Sequence, residues 1–271
     1  MKKYDLIIAC GGTGGHIYPA LAIAEAMKSY HRDVRILFVV RDGAMEQKVF
    51  PESGFDFITI KSAGFSRVSL KANIKLLWVL PSSFVKAISV LITAKPSAVL
   101  STGGYSGLPV LAAARILRKK IFLQEQNTYP GVTVRLFAGS ADCVYLGYRE
   151  AAKYLPVQTR YMETGNPIRL ATGKAERNIK GELSIEGKKL IFVSGGSQGA
   201  QAVNKLIASM LPEFIADESL AVVWQCGRAN EDFARKAADG MKNVHVMPFI
   251  DNIYDYYKAA DLAVCRSGAM T

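Results

Sequence analysis

Residues 4–19 read Tyr4-Asp5-Leu6-Ile7-Ile8-Ala9-Cys10-Gly11-Gly12-Thr13-Gly14-Gly15-His16-Ile17-Tyr18-Pro19. The apolar run ending at Cys10 predicts a strand buried on both faces. The glycines after it let the backbone come close to a ligand, and Pro19 suits the first turn of a helix over 19–30. Free N–H groups and the helix dipole at such a junction attract anions. The loop is not a dinucleotide fingerprint, because G-x-G-x-x-G would need glycine at Ile17. It is not a phosphate-binding Walker A loop either, because no Lys-Ser/Thr pair follows. The same glycines also suit a tight strand-to-helix turn.

Working outward, short apolar runs alternate with helical patterns in two rounds. Val34–Val40, Phe57–Ile60, Ala98–Leu100 and Lys120–Gln124 read as strands, with a helix over Leu108–Leu117. After Gly165-Asn166-Pro167, a turn-forming cluster, and a charged stretch, Leu190–Ser194 opens the second round. A helix over Gly199–Leu211 and strands at Ala221–Gln225, Val244–Met247 and Leu262–Cys265 follow. Continuous apolar strands separated by helices predict parallel sheets covered on both faces. At roughly 100–200 residues per domain, 271 residues make two. The expected fold class is α/β, with two Rossmann-like doubly wound domains facing a cleft, over residues 1–161 and 162–271. Ala269–Thr271 reads as the start of a helix, so the second domain is expected to be incomplete.

Two further glycine loops follow strands, Ser101-Thr102-Gly103-Gly104-Tyr105-Ser106-Gly107 and Ser194-Gly195-Gly196-Ser197-Gln198-Gly199-Ala200. Ligands of open α/β sheets bind beyond the carboxyl ends of strands, so three such loops point to an anionic ligand. Lys+Arg total 34 against 23 Asp+Glu, a formal charge of +11. That surplus favours nucleic acid, anionic lipid or nucleotide phosphates, but no nucleic-acid recognition module is present. Cys10, Cys143, Cys226 and Cys265 are scattered and His is scarce, so no zinc pattern forms and reduced thiols are expected. No D-x-D motif calls for a metal, and no cofactor is expected. Leu6–Ala9 is too short for a secretory core, and no stretch approaches the ~20 apolar residues of a membrane span.

The motifs GGTGGH-x-x-P (11–19), GGY (103–105), EQN (125–127), GNP-x-R (165–169), GGSQGA (195–200) and the late FID…AD…CRSGA (249–269) occur in this order and spacing. In this the whole chain resembles the MurG family of glycosyltransferases. The resemblance implies the GT-B fold and an inverting enzyme at the cytoplasmic face of the bacterial inner membrane. Such an enzyme moves N-acetylglucosamine from UDP-GlcNAc onto lipid I, undecaprenyl-diphospho-MurNAc-pentapeptide, to form lipid II for peptidoglycan. It implies lipid acceptor on the first domain, UDP-GlcNAc on the second, and possible partners among wall-synthesis and division proteins. By resemblance, Thr13, Gly14 and Gly15 lie near the donor sugar and the acceptor diphosphate, and Gly103, Gly104 and Tyr105 form the acceptor loop. Asn127 binds donor, Arg169 the nucleotide and Ser197 the donor phosphates. The Ile250 backbone pairs with uracil, and Ala269, Met270 and Thr271 begin the segment beside ribose and phosphates. The second loop departs from the family in reading GGYSGLP where GGY-x-SGP is usual. The family's ribose-binding glutamate, a sugar-contacting glutamine and a final helix lie beyond the residues present.

An inverting displacement needs a base for the acceptor hydroxyl and stabilisation of the leaving diphosphate. Imidazole exchanges protons near neutrality, which makes His16 a candidate base; capping the helix or binding phosphate is the alternative. Glu125 is the rival base, or else a structural carboxylate orienting the Asn127 loop. Ile74–Ile92 is apolar with flanking lysines: either a face that meets anionic inner-membrane lipid through Trp78 and Leu80, or a core helix pair broken at Pro81. A UDP-sugar 2-epimerase shares the fold but not the motif series, and a non-catalytic membrane-associated binding protein is the remaining rival.

Overall fold

The computed structural model describes residues 3–62, 76–168, 177–196 and 198–268, which fall into two compact units, one ending at Ile168 and one starting at Arg177. The first holds seven parallel strands: β1 (Leu6–Cys10), β2 (Ile36–Arg41), β3 (Asp56–Ile60), β4 (Ala98–Ser101), β5 (Lys120–Glu125), β6 (Cys143–Leu146) and β7 (Tyr161–Glu163). Their spatial order is β3-β2-β1-β4-β5-β6-β7. The helices are α1 (Gly14–Tyr30), α2 (Ala44–Val49), α3 (Leu76–Ala94), α4 (Gly107–Ile116) and α5 (Val132–Phe137).

Alternation along β1 divides the core. Ile7 and Ala9 pack with α3, α4 and α5 on one face; Leu6, Ile8 and Cys10 pack with α1 on the other. Burial pushes the Cys10 thiol well above its ordinary pKa, and the Glu46 carboxylate adds to the shift. All four cysteines are free.

The second unit repeats the plan with β8 (Lys189–Ser194), β9 (Leu220–Gln225), β10 (Val244–Met247) and β11 (Leu262–Cys265), ordered β10-β9-β8-β11 and all parallel. Its helices are α6 (Ile179–Glu182), α7 (Gln201–Ala216), α8 (Glu231–Ala237) and α9 (Ile253–Ala259). Trp224 is fully buried and its Nε1 donates to Asn204 Oδ1 at 3.0 Å, so the largest core side chain leaves no orphaned donor.

Several expectations need correction. The first unit runs past residue 161, because Tyr161–Glu163 pairs with β6 as the last strand of its sheet. At three residues, Tyr161-Met162-Glu163, this exposed edge strand is too short to show a pattern, which is why β7 is invisible in sequence. Helix α1 begins at Gly14 rather than Pro19, leaving Pro19 inside it; Gly14 and Gly15 themselves take up helical conformation and bring the helix end up to the loop. Pro81 does not break the apolar segment. Helix α3 passes through it, burying Ala87, Val90, Leu91 and Ala94 in the core, while Val85 and Ile92 face outward. Leu80 is half-buried, and the Trp78 side chain lies outside the described residues. Among the described residues no helix is long and apolar enough to cross a membrane.

Candidate active site

In the first sheet, chain order reverses between β1 and β4. Loop 11–13 leaves one of these strands and loop 102–106 the other, so both emerge at the topological switch point, the usual ligand crevice of open α/β sheets. The loops are stitched together. Ser106 Oγ donates to the Cys10 carbonyl at 2.8 Å, and Thr102 Oγ1 donates to the His16 carbonyl at 2.7 Å. Gly104 has φ +84° and lies so close to loop one that a Cβ would stand 2.1 Å from the Gly11 oxygen. At Gly103 a Cβ would meet the His16 ring at 2.9 Å. Glycine is required at both positions by contact between the loops.

Loop one places Thr13 as the N-cap of α1, with the N–H groups of His16 and Ile17 turned back to its carbonyl. The N–H groups of Gly14 and Gly15 have no partner within the helix, so they and the helix dipole are available to an anion. Gly12 N–H is already taken. It donates to Glu46 Oε1 at 2.6 Å, a buried carboxylate on α2.

His16 is half-buried and its Nδ1 lies 2.9 Å from the Thr102 carbonyl. A carbonyl only accepts, so in the neutral ring Nδ1 holds the proton and Nε2 keeps the lone pair. Glu125 is placed differently. It is 2% exposed, its Oε1 accepts from Asn127 N at 2.9 Å and Asn127 Nδ2 at 2.8 Å, and its Oε2 accepts from Gly131 N at 2.7 Å. With both oxygens engaged, Glu125 supports the 126–131 loop, the structural role weighed beside that of base. Asn127 is exposed beside it, and Tyr105 is 45% exposed on loop two.

In the second unit the order again reverses next to β8, between β8 and β11. Loop three leaves β8 and is held by neutral groups. Gln225, 1% exposed, donates from Nε2 to Ser194 Oγ at 3.3 Å and to the Gly196 carbonyl at 3.0 Å. Its Oε1 accepts from Ile250 N at 3.2 Å. The Ile250 backbone N–H is therefore committed, and a base reading that backbone meets its carbonyl unless Gln225 yields. Gly199 has φ +74°, and a Cβ there would stand 1.9 Å from the Cys226 oxygen.

The N-terminal domain of glycosyltransferase family 28 matches residues 6–146, and the C-terminal domain of that family matches residues 190–271. The chain belongs to glycosyltransferase family 28. Two family relatives carry the name UDP-N-acetylglucosamine--N-acetylmuramyl-(pentapeptide) pyrophosphoryl-undecaprenol N-acetylglucosamine transferase. That of Carboxydothermus hydrogenoformans is 38% identical over 271 residues, 98% of this chain and 73% of the relative. That of Finegoldia magna is 35% identical over 272 residues, 98% of this chain and 74% of the relative. The crystal structure of Acinetobacter baumannii MurG superposes with a TM-score of 0.66 at 25% identity, covering 98% of this chain and 72% of that one. A Neisseria meningitidis UDP-GlcNAc 2-epimerase bound to UDP-GlcNAc shares the fold, with TM-score 0.63 at 13% identity over 98% of this chain and 78% of its own.

Within this family 28 chain, the structure gathers Thr13, Gly14, Gly15, His16, Gly103 and Gly104 at one switch point, and joins Glu125 to Asn127. Ile250 belongs to the second unit's network. Arg169, Ser197, Ala269, Met270 and Thr271 lie outside the described residues. Sequence reasoning passed over Glu46, Thr102, Gln124, Gln126, Asn166 and Gln225. The signal for most was available, as polar residues at the carboxyl ends of apolar strands. Glu46 had none, since its carboxylate reaches loop one only through the fold. Among the described residues no cluster of His, Cys, Asp and Glu could hold a metal ion.

Proposed function

We propose that this chain transfers N-acetylglucosamine from UDP-GlcNAc to lipid I, with inversion, to form lipid II. The observation that carries the reading is the meeting of loops one and two at the first switch point, with the neutral His16 ring held as its Nδ1–H tautomer. The names of relatives 35–38% identical over 98% of the chain supply the substrates. The first unit binds the lipid acceptor and the second the nucleotide sugar. His16 Nε2 takes the proton of the acceptor hydroxyl as its oxygen attacks the anomeric carbon. The bond from that carbon to the phosphate oxygen breaks, and its electron pair leaves with UDP. The loop 194–200 before α7 offsets the charge developing on the leaving diphosphate, and the Gly14 and Gly15 N–H groups at the start of α1 suit the acceptor's diphosphate. Asn127, Arg169, Ser197, Ile250 and Ala269–Thr271 serve the donor; Gly103, Gly104 and Tyr105 serve the acceptor.

The formal charge of +11 supports peripheral residence on an anionic membrane surface, which is where a lipid-linked acceptor resides. Trp78 and Leu80 are the proposed contacts, at the start of α3. The family's cytoplasmic-face location and its wall-synthesis and division partners are carried over on the same basis. The test is to incubate the chain with labelled UDP-GlcNAc and a short-chain lipid I analogue and to follow label into the lipid product. Transfer is expected. A folded chain that moves no label onto a sound acceptor overturns the assignment.

A further inference from the structure

Behind His16 lies a run of amides that the motif series does not explain. The Thr102 carbonyl accepts from His16 Nδ1 at 2.9 Å and also from Gln126 Nε2 at 2.8 Å. Gln126 is 2% exposed, and its second amide hydrogen goes to Gln124 Oε1. Gln124 Nε2 donates to Asn166 Oδ1 at 3.3 Å, and Asn166 Nδ2 donates to the Gln126 backbone carbonyl at 3.1 Å. Every amide direction in this run is determined. The Asn166 amide nitrogen must face a backbone carbonyl, so its oxygen faces Gln124. Gln124 therefore donates to Asn166 and turns its oxygen to Gln126. Gln126 is left with both hydrogens to give, one to Gln124 and one to Thr102. Gln124 and Gln126 are buried and Asn166 half-buried, and a network with its orientations set in this way holds its members rigidly.

We infer that Gln126 is a positioning residue for His16. It holds the Thr102 carbonyl where only the Nδ1–H tautomer of the neutral ring can meet it, so that Nε2 is the basic nitrogen. The backbone of His16 is held by the same residue, since Thr102 Oγ1 donates to the His16 carbonyl. No carboxylate performs this task, because Glu125, next in sequence to Gln126, is committed to Asn127 and Gly131. Without Gln126 the Thr102 carbonyl loses one of its two side-chain donors, its peptide relies on the Gly103 N–H bond to Ser101 Oγ at 3.2 Å, and the ring samples both tautomers. The catalytic consequence rests on His16 being the base, as proposed above; the tautomer itself does not.

The test uses Gln126→Met and Gln126→Glu in protein with 15N-labelled histidine. The chain has three histidines, so His16→Gln identifies the His16 signals. In the unaltered chain above pH 8, the neutral His16 ring shows a protonated Nδ1 and an unprotonated Nε2. Gln126→Met shifts both nitrogens toward averaged values. It lowers kcat about 10-fold, a fraction of the 10²–10⁴ of general base catalysis, with KM for both substrates within about two-fold. Gln126→Glu covers the case in which methionine disturbs folding. Its carboxylate cannot donate, so above pH 8 it reproduces both the nitrogen shifts and the kcat loss. A Gln126→Met protein that keeps the single tautomer, or that changes tautomer with kcat intact, overturns the inference. So does a rise in KM with unchanged kcat, the mark of a purely structural role. If the unaltered chain transfers no label, the transferase reading fails while the nitrogen shifts still decide the positioning claim.

Discussion

Loop one and loop three occupy the same place in two sheets of the same order. Each follows the strand at which chain order reverses, each opens a long helix, and each is pressed against a neighbouring loop so closely that glycine is obligatory. They differ in what holds them. Loop one is bounded by ionisable side chains, His16 within it and buried Glu46 beneath it. Loop three is held by Ser194 and Gln225, which stay neutral at any working pH, with Gln225 also binding Ile250 N–H. A neutral cradle suits a ligand that must be bound without being changed, while proton transfer needs a titratable group. The contrast fits the proposal that the first unit supplies the base and the second binds the nucleotide.

The largest expected break in this comparison comes from His16→Ala. Label transfer should fall by about 10²–10⁴ in kcat, the usual contribution of a general base, with little change in thermal midpoint because His16 is half-buried. If a single substitution in loop three costs as much in kcat, the division of labour fails. Gly104→Ala and Gly199→Ala probe the shared feature. Each forces a side chain into positive φ and against a carbonyl. Each should destabilise its own unit by about 1–3 kcal/mol from backbone strain alone, read by denaturant unfolding, with Gly104→Ala also reducing kcat and Gly199→Ala chiefly weakening UDP-GlcNAc binding.

Gln225→Leu sharpens the donor side. It orphans the Ile250 N–H, at roughly 1–3 kcal/mol for a buried group, and removes one of two donors to the Gly196 carbonyl, which keeps the Gly199 N–H at 2.9 Å. The expected result is KM for UDP-GlcNAc raised about 10-fold with kcat nearly kept, and titration with UDP checks it. The smallest effect concerns His245 on β10. Burial holds its pKa below the ordinary 6.5, and its Nε2 is buried without a hydrogen-bond partner. A group that resists protonation when folded binds fewer protons than the unfolded chain. Its neutral form therefore keeps the second unit at full stability above about pH 6.5, and stability declines as pH falls through and below that value. Thermal melts from pH 8 to 5 should show this decline, and His245→Phe should flatten it.

Much of the fold was legible because buried parallel strands write themselves as unbroken apolar runs. Leu6–Cys10 and Lys189–Ser194 were visible for that reason. Cys143–Leu146 and Tyr161–Glu163 escaped, one short and half-exposed, the other an exposed edge. Helix α3 was ambiguous, because an apolar segment reads alike whether it meets a core or a lipid surface; its packing resolves Ala87–Ala94 in favour of the core.

Composition and spacing alone determined two α/β units, three glycine loops at strand ends, and His16 as the titratable side chain within them. These are local facts, since backbone conformation, strand burial and loop chemistry all depend on near neighbours in sequence. Tertiary structure alone decided the rest. It set which strands lie side by side, brought Glu46 to Gly12 across 34 residues and Thr102 to His16 across 86, and seated Glu125 against the 126–131 loop. Proton chemistry depends on which atom faces which, at distances near 3 Å, and parallel sheets create such encounters between residues far apart in the chain.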